Sequence, residues 1–303
     1  MTEIAQSLAI ANTNPAQQMA ASNALIQQVA TLRANASRFP APFDAMIRTA
    51  ANDFEGDASG ATVVNLQAAL ADQVTRICQQ IVTNRYPFVR GSEREVALAD
   101  FARLFAPSGI MDKFFTQNLA QYVDQSRLPW SWKPDSRVAR SLSTVTLRQF
   151  QQALEIRDAF FPTGGNMPSF SMTITPQTLG GDASTGRFEI NGTQVNSQQG
   201  VNAPSPVQWP GGIPRSSISI GGGTGGGGFF GGGFFSQPAT VQRDGVWSFF
   251  RLLDSGTVLK QGDALIASFN VGGREVSYQI NVGSIMNPLQ LPALREFRCP
   301  AGL

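Results

Sequence analysis

A chain of 303 residues with 42% hydrophobic side chains can bury a substantial core and has room for two domains. Charged residues make up 15% of it and are evenly matched, with Lys+Arg 23 against Asp+Glu 21, so the net field is close to zero. The basic residues are scattered singly among acids, with only short groupings such as Arg90, Arg94 and Arg103. That pattern lacks the clustered cations that nucleic-acid binding by counterion release requires.

No stretch reaches the ~18 consecutive apolar residues of a membrane span, and the start, Met1-Thr2-Glu3-Ile4, lacks the basic opening and apolar run of a signal peptide. Taken alone, the sequence reads as soluble and cytosolic, unless an export signal or anchor lies upstream of Met1. The two cysteines, Cys78 and Cys299, form no CxxC, and the chain contains no His to complete a zinc site. Two buried thiols or one disulfide are both open, the even number leaning to the bridge. A bridge would close a loop of 221 residues, which in the chain-entropy picture stabilises by at most roughly 5 kcal/mol, and would need an oxidising compartment.

The first half carries helical patterning. Asn14 and Pro15 suit a helix start, and Leu25, Val29 and Leu32 share one face of an Ala/Gln-rich helix from Pro15 to about Ala36. A second helix is expected from Pro42 to Phe54, ending before Gly56. Val63, Leu66, Leu70, Val74, Ile77 and Ile81 then recur at steps of three and four, predicting a buried stripe with Cys78 beside it. Leu98, Phe101 and Phe105, a break at Pro107-Ser108-Gly109, and Ile110, Phe114, Phe115, Leu119 and Tyr122 predict a helical hairpin with an aromatic core. After the loop around Trp130 and Trp132, Leu147, Phe150, Leu154 and Phe161 mark a last helix that ends at Pro162-Thr163-Gly164-Gly165.

Beyond Gly165 the period falls to two and Gly, Pro, Ser and Thr become frequent, which predicts strands. Phe170, Met172 and Ile174 alternate with polar residues. Asn191-Gly192 between Phe188/Ile190 and Val195, and Gly272-Gly273 between Phe269/Val271 and Val276/Tyr278/Ile280, each suit a tight hairpin turn. Val246, Phe249, Phe250 and Leu253 fit a short interrupting helix. The expected fold class is α+β: a helical domain over residues 1–165, then an antiparallel β-sandwich over residues 166–303 with a Gly/Phe-rich loop at 221–235 and a C-terminal tail. Asn191-Gly192-Thr193 matches a glycosylation sequon, but the turn accounts for it.

The run GGGTGGGGFFGGGFF has no Lys and is followed by Gln237-Pro238, so it is neither a P-loop nor a dinucleotide loop. It reads as a mobile loop, or as an arm that presents Phe229, Phe230, Phe234 and Phe235 to a partner or lipid. Without His, the Ser-His and Cys-His nucleophile pairs are excluded. None of Lys113, Lys133 and Lys260 follows a Ser by three residues, and no acidic cluster stands out. The expectation is therefore no enzyme, no catalytic residue, no metal and no cofactor.

Several ordered stretches resemble a known family. Asn84-Arg85-Tyr86-Pro87-Phe88, Glu95 to Gly109, Phe114-Phe115, Trp209-Pro210-Gly211, Gly245-Val246-Trp247, Arg251-Leu252-Leu253-Asp254, Asn287-Pro288-Leu289 and Phe297-Arg298-Cys299-Pro300 are similar to the C-terminal region of the IcmF (TssM) family of type VI secretion subunits. Ala97 and Leu289 depart from residues more usual there, and the Gly/Phe run looks like an insertion. The resemblance implies a periplasmic location, with an inner-membrane anchor in upstream segments. It also implies a structural role in the trans-envelope complex that passes the contractile tail, binding to the outer-membrane lipoprotein TssJ, work with the inner-membrane subunit TssL, and self-association. Nucleic acid and small-molecule substrates are not expected. In that compartment a Cys78 to Cys299 bridge is favoured. Asn191, Gly192, Trp209 and the four Phe of the run are the candidate partner contacts. The competing reading is a carbohydrate- or peptidoglycan-binding module, in which exposed Trp130, Trp132 or Trp209 would stack on sugar rings.

Overall fold

The computed structural model describes residues 15–181, 183–222 and 238–303. Its helices are α1 (Pro15–Ala36), α2 (Phe43–Leu70), α3 (Arg76–Val82), α4 (Leu98–Phe105), α5 (Ile110–Phe114), α6 (Arg137–Arg140), α7 (Thr144–Phe160), α8 (Ser248–Asp254) and α9 (Ala293–Glu296). A short pair, β1 (Val123–Asp124) and β2 (Ser131–Trp132), lies among them. From Phe170 onward strands dominate: β3 (Phe170–Leu179), β4 (Ala183–Ile190), β5 (Thr193–Gln198), β6 (Ser205–Trp209), β7 (Arg215–Gly222), β8 (Ala239–Asp244), β9 (Thr257–Gln261), β10 (Ala264–Val271) and β11 (Arg274–Val282). Helices give way to antiparallel strands where the sequence period changes, and the fold is α+β as expected. The described residues group into two compact units, the first from those up to residue 80 with 110–153 and 298–303, the second from 81–109 and those between 154 and 297.

In the first unit, Leu25 and Val29 of α1 meet Ala51 and Ala58 of α2, whose small side chains let the helix axes approach. The stop expected before Gly56 does not occur: α2 runs through Gly56 and Gly60 to Leu70. A glycine inside a helix costs only about 1 kcal/mol relative to Ala, and with no Pro nearby packing against α1 outweighs that. A π-turn, Ala71–Thr75, joins α2 to α3. Its wider turn keeps Leu66, Leu70, Val74 and Cys78, spaced by four, on one buried line, so Cys78 lies within the stripe and not beside it. Phe114 stacks on Phe150 at 5.7 Å and Phe115 on Trp130 at 4.9 Å. Cys78 and Cys299 are joined as a disulfide, with Cα atoms 5.7 Å apart.

In the second unit the strands form two sheets, β6-β3-β11-β10-β9 and β5-β4-β7-β8. Every neighbouring pair is antiparallel, and strands such as β4, β5 and β6 turn alternate residues inward. Phe188 of the smaller sheet meets Tyr278 at 4.7 Å and Phe269 at 6.0 Å from the larger, the face-to-face contact of a sandwich. The two expected hairpins are present: Asn191 and Gly192 have φ of 48° and 99°, and Gly272 and Gly273 have φ of 60° and 82°. The expected short helix is α8, which packs along β7, β8 and β9. Phe101 and Phe105 of α4 belong to an aromatic group with Phe88, Phe160, Trp247 and Phe297. Phe114 and Phe115 belong instead to the first unit, so the aromatic residues of the expected hairpin are divided between the two units.

Candidate functional site

The stretches that carry the family resemblance are dispersed in sequence, and four of their side chains, Tyr86, Glu95, Arg251 and Asp254, meet at one place in the second unit, where Arg295 joins them. Tyr86 is 1% exposed, and its ring lies between two guanidinium groups, Arg251 at 4.2 Å and Arg295 at 5.1 Å from the centroid. Its hydroxyl donates to Asp254 Oδ2 at 2.8 Å, and Arg295 Nη2 donates to the same oxygen at 2.7 Å. Arg295 also donates to the Pro87 carbonyl. Burial holds the Tyr86 phenol well above its ordinary value; the Arg295 hydrogen bond opposes that shift and the Asp254 charge adds to it. Tyr86 is thus a neutral donor at any physiological pH.

Glu95 completes the group. It accepts from Arg251 Nε at 2.7 Å and from the Val246 amide at 3.0 Å, while Trp247 Nε1 donates to the Val96 carbonyl at 2.7 Å. The loop before α8 can approach Glu95 this closely because residue 245 is a glycine. Its φ is +99°, and a Cβ there would collide with the Glu95 carboxylate. The arrangement binds segment 84–96 to α8 through paired charges and hydrogen bonds, and Asp254 Oδ1 also pairs with Arg90 at 3.4 Å. Chemically it is a clamp between segment 84–96 and α8.

The other candidate residues divide. Asn191 is 2% exposed and Trp209 is 0% exposed. Asn191 Nδ2 donates to the Ile213 carbonyl at 3.0 Å and Ser248 Oγ at 3.3 Å, so the hairpin tip is fastened inward, and of the pair only Gly192 is at the surface. Trp209 packs between Phe170 and Trp247. Neither of these two side chains is available to a partner. Phe229, Phe230, Phe234 and Phe235 lie outside the described residues. Trp130, stacked on Phe115, and Trp132 are half-buried, and among the described residues no tryptophan is exposed, which removes the row of open rings that sugar stacking would need.

The outer face of the five-stranded sheet is one open surface of the second unit. Leu259, Ile266, Gln279 and Thr175 form one cross-strand row, and Asn281, Thr173 and Pro206 another. At its β6 side is a cleft of about 480 Å³ lined by Ser171, Thr173, Gln208 and Asn281. Glu275 is the charged residue on this face, at the end of β11, whereas the four-stranded sheet turns Arg187, Glu189, Arg215 and Asp244 outward. Leu259, on edge strand β9, is 63% exposed. Sequence patterning shows which residues alternate outward but not that the outward row of several strands lies side by side, because strand order is a long-range property. Among the described residues no group of acids, Cys or His could hold a metal ion, and no helix is long and apolar enough to cross a membrane.

An α+β protein with, among the described residues, a two-sheet sandwich and a charge clamp in the same unit defines a structural class. Comparison with known proteins shows what it resembles: residues 172–284 match the family model described as the type VI secretion protein IcmF C2-like domain. The chain is 27% identical over 292 residues to type VI secretion system component TssM1 of Pseudomonas aeruginosa, which covers 93% of this chain and 25% of that protein. The chain therefore spans about a quarter of the length of this curated relative. Its fold matches the C-terminal domain of the T6SS protein TssM from EAEC, with a TM-score of 0.66 and 19% identity over 80% of this chain and 98% of that one. It also matches a chain of a type VI secretion system membrane core complex, with a TM-score of 0.79 and 17% identity over 97% of this chain and 62% of that one.

Proposed function

We propose that this chain is a non-catalytic, periplasmic segment of a type VI secretion membrane complex, belonging to a protein anchored in the inner membrane by segments outside it. In this role the sandwich docks the outer-membrane lipoprotein TssJ, the protein works with TssL, and copies associate around the channel for the contractile tail. The likeness to TssM1 over 93% of the chain supports the assignment to the complex. The observation that carries docking through the sandwich is the nearly uncharged outer face of the five-stranded sheet with Leu259 exposed at its edge. Such a face loses little hydration energy when covered, and an edge strand can be extended by a partner's strand. The clamp of Tyr86, Glu95, Arg251, Asp254 and Arg295 would then serve rigidity, which limits the entropy lost on binding.

Biolayer interferometry with the soluble form of the cognate TssJ on the sensor tests this reading. Binding at micromolar or lower concentration by the intact chain, weakened about tenfold or more by Leu259→Lys, is expected, because an ammonium ion buried without a partner costs well over 1.4 kcal/mol. No binding by the intact chain overturns the docking role, and unchanged binding by the variant moves the interface away from β9.

A further inference from the structure

The last six residues, Arg298 to Leu303, belong to the first unit and run without regular secondary structure. Helical side chains hold their backbone from both directions. Thr75 Oγ1 donates to the Pro300 carbonyl at 2.7 Å, and Thr146 Oγ1 donates to the Gly302 carbonyl. The Arg298 amide donates to Gln149 Oε1 at 2.5 Å and the Leu303 amide to Gln67 Oε1 at 2.6 Å. Gln67 and Gln149, on α2 and α7, and Thr75 and Thr146 thus form a cradle that satisfies two carbonyls and two amides of the strap. At its centre is the Cys78–Cys299 bond. Cys78 is fully buried, whereas Cys299 is half-exposed.

We propose that this strap is a redox-controlled latch of the first unit, closed by the disulfide and released when the bond is reduced. Neutral hydrogen bonds of this kind compete directly with water and with the conformational freedom of the strap backbone, so each adds little net hold without the covalent bond. The covalent bond removes the free state. A thiolate attacks the sulfur of Cys299, the less buried of the two residues, forms a mixed disulfide there, and expels Cys78 as a thiolate that takes up a proton. A second thiolate attacks the mixed disulfide and frees Cys299. Two electrons and two protons pass from a dithiol to the cysteine pair, and closure is the reverse, with a disulfide oxidoreductase of the compartment as acceptor. The inference uses the periplasmic reading only for the identity of that acceptor.

The test compares the intact chain with and without dithiothreitol by hydrogen exchange and by trypsin cleavage after Arg298, with free thiols counted to confirm reduction. Expected on reduction is a rise of about tenfold or more in exchange at residues 298–303 and in cleavage at Arg298, with strands β4 and β7 unchanged. Cys299→Ser should show the open-strap values without reductant. Unchanged strap exchange in the reduced protein overturns the proposal, since the cradle alone would then hold. A rise of equal size in β4 and β7 also overturns it, since the bond would be a staple of the whole molecule. Neither readout involves TssJ, so failure here and failure of docking remain separate results.

Discussion

The charge clamp can be dismantled one partner at a time. Glu95 and Arg251 have side chains 18% and 16% exposed and pair at 2.7 Å. Glu95→Gln removes the charge but keeps the shape, and leaves one amide oxygen to serve both Arg251 Nε and the Val246 amide. One charge-assisted bond of about 1.5–3 kcal/mol is therefore lost, and the Arg251 guanidinium is left partly desolvated over the Tyr86 ring. A fully buried unpaired charge would cost about 3–5 kcal/mol; residual exposure brings the expected cost of Glu95→Gln to about 2–3 kcal/mol. Arg251→Met should cost a similar amount, since it forfeits the ion pair and the ring contact but keeps the aliphatic stem. If the two act as a pair, the double variant should cost less than the sum by about 1.5 kcal/mol. Urea unfolding followed by the fluorescence of the second unit's tryptophans, Trp209 and Trp247, measures all four corners of the cycle. A coupling below about 0.5 kcal/mol would refute the clamp, because it would place the two residues in independent environments.

Asn191→Ala should destabilise the second unit by about 1–3 kcal/mol, because the Ile213 carbonyl and Ser248 hydroxyl lose a buried donor and Ala takes a φ of +48° less readily. A thermal midpoint within experimental error of the parent would contradict the inward role assigned to that side chain. Tyr278 gives a pH signature: burial pushes its phenol up to about 12, with the Ser197 hydroxyl opposing. The folded state favours the neutral phenol, so that contribution is intact below the ordinary tyrosine value of about 10 and is lost as pH rises from there toward 12. Stability should fall by up to about 1.4 kcal/mol per pH unit per buried tyrosine in that window, and Tyr278→Phe should flatten the slope in alkaline denaturation series. Phe188→Ala, at the contact between the sheets, should cost about 3–5 kcal/mol in the same assay; a cost under 1 would mean the sheets do not pack there.

Much of the fold was legible because it is local. Period 3.6 gives way to period 2 near Gly165, Pro15 opens α1 at its observed first residue, and the Asn191-Gly192 and Gly272-Gly273 pairs mark the two tight hairpins. The helix stop expected at Gly56 failed because tertiary packing on α1 exceeds a glycine's small penalty. Asn191 shows a different limit: the turn chemistry was readable, but the Ile213 and Ser248 partners that draw its side chain inward lie 22 and 57 residues away. The convergence of Tyr86, Glu95, Arg251, Asp254 and Arg295 has the same character. All but Arg295 were visible in a motif, yet nothing local indicates that separations of 168 residues between Tyr86 and Asp254 and 156 between Glu95 and Arg251 close to hydrogen-bond distance.

The most direct test of the docking account is a hydrogen-exchange footprint of the intact chain with and without saturating soluble TssJ. Protection concentrated in β9 and in the neighbouring strands β10 and β11 is the predicted result. Protection confined to α1 and α2, or none anywhere at a concentration where the two proteins are bound, would contradict docking through the sandwich.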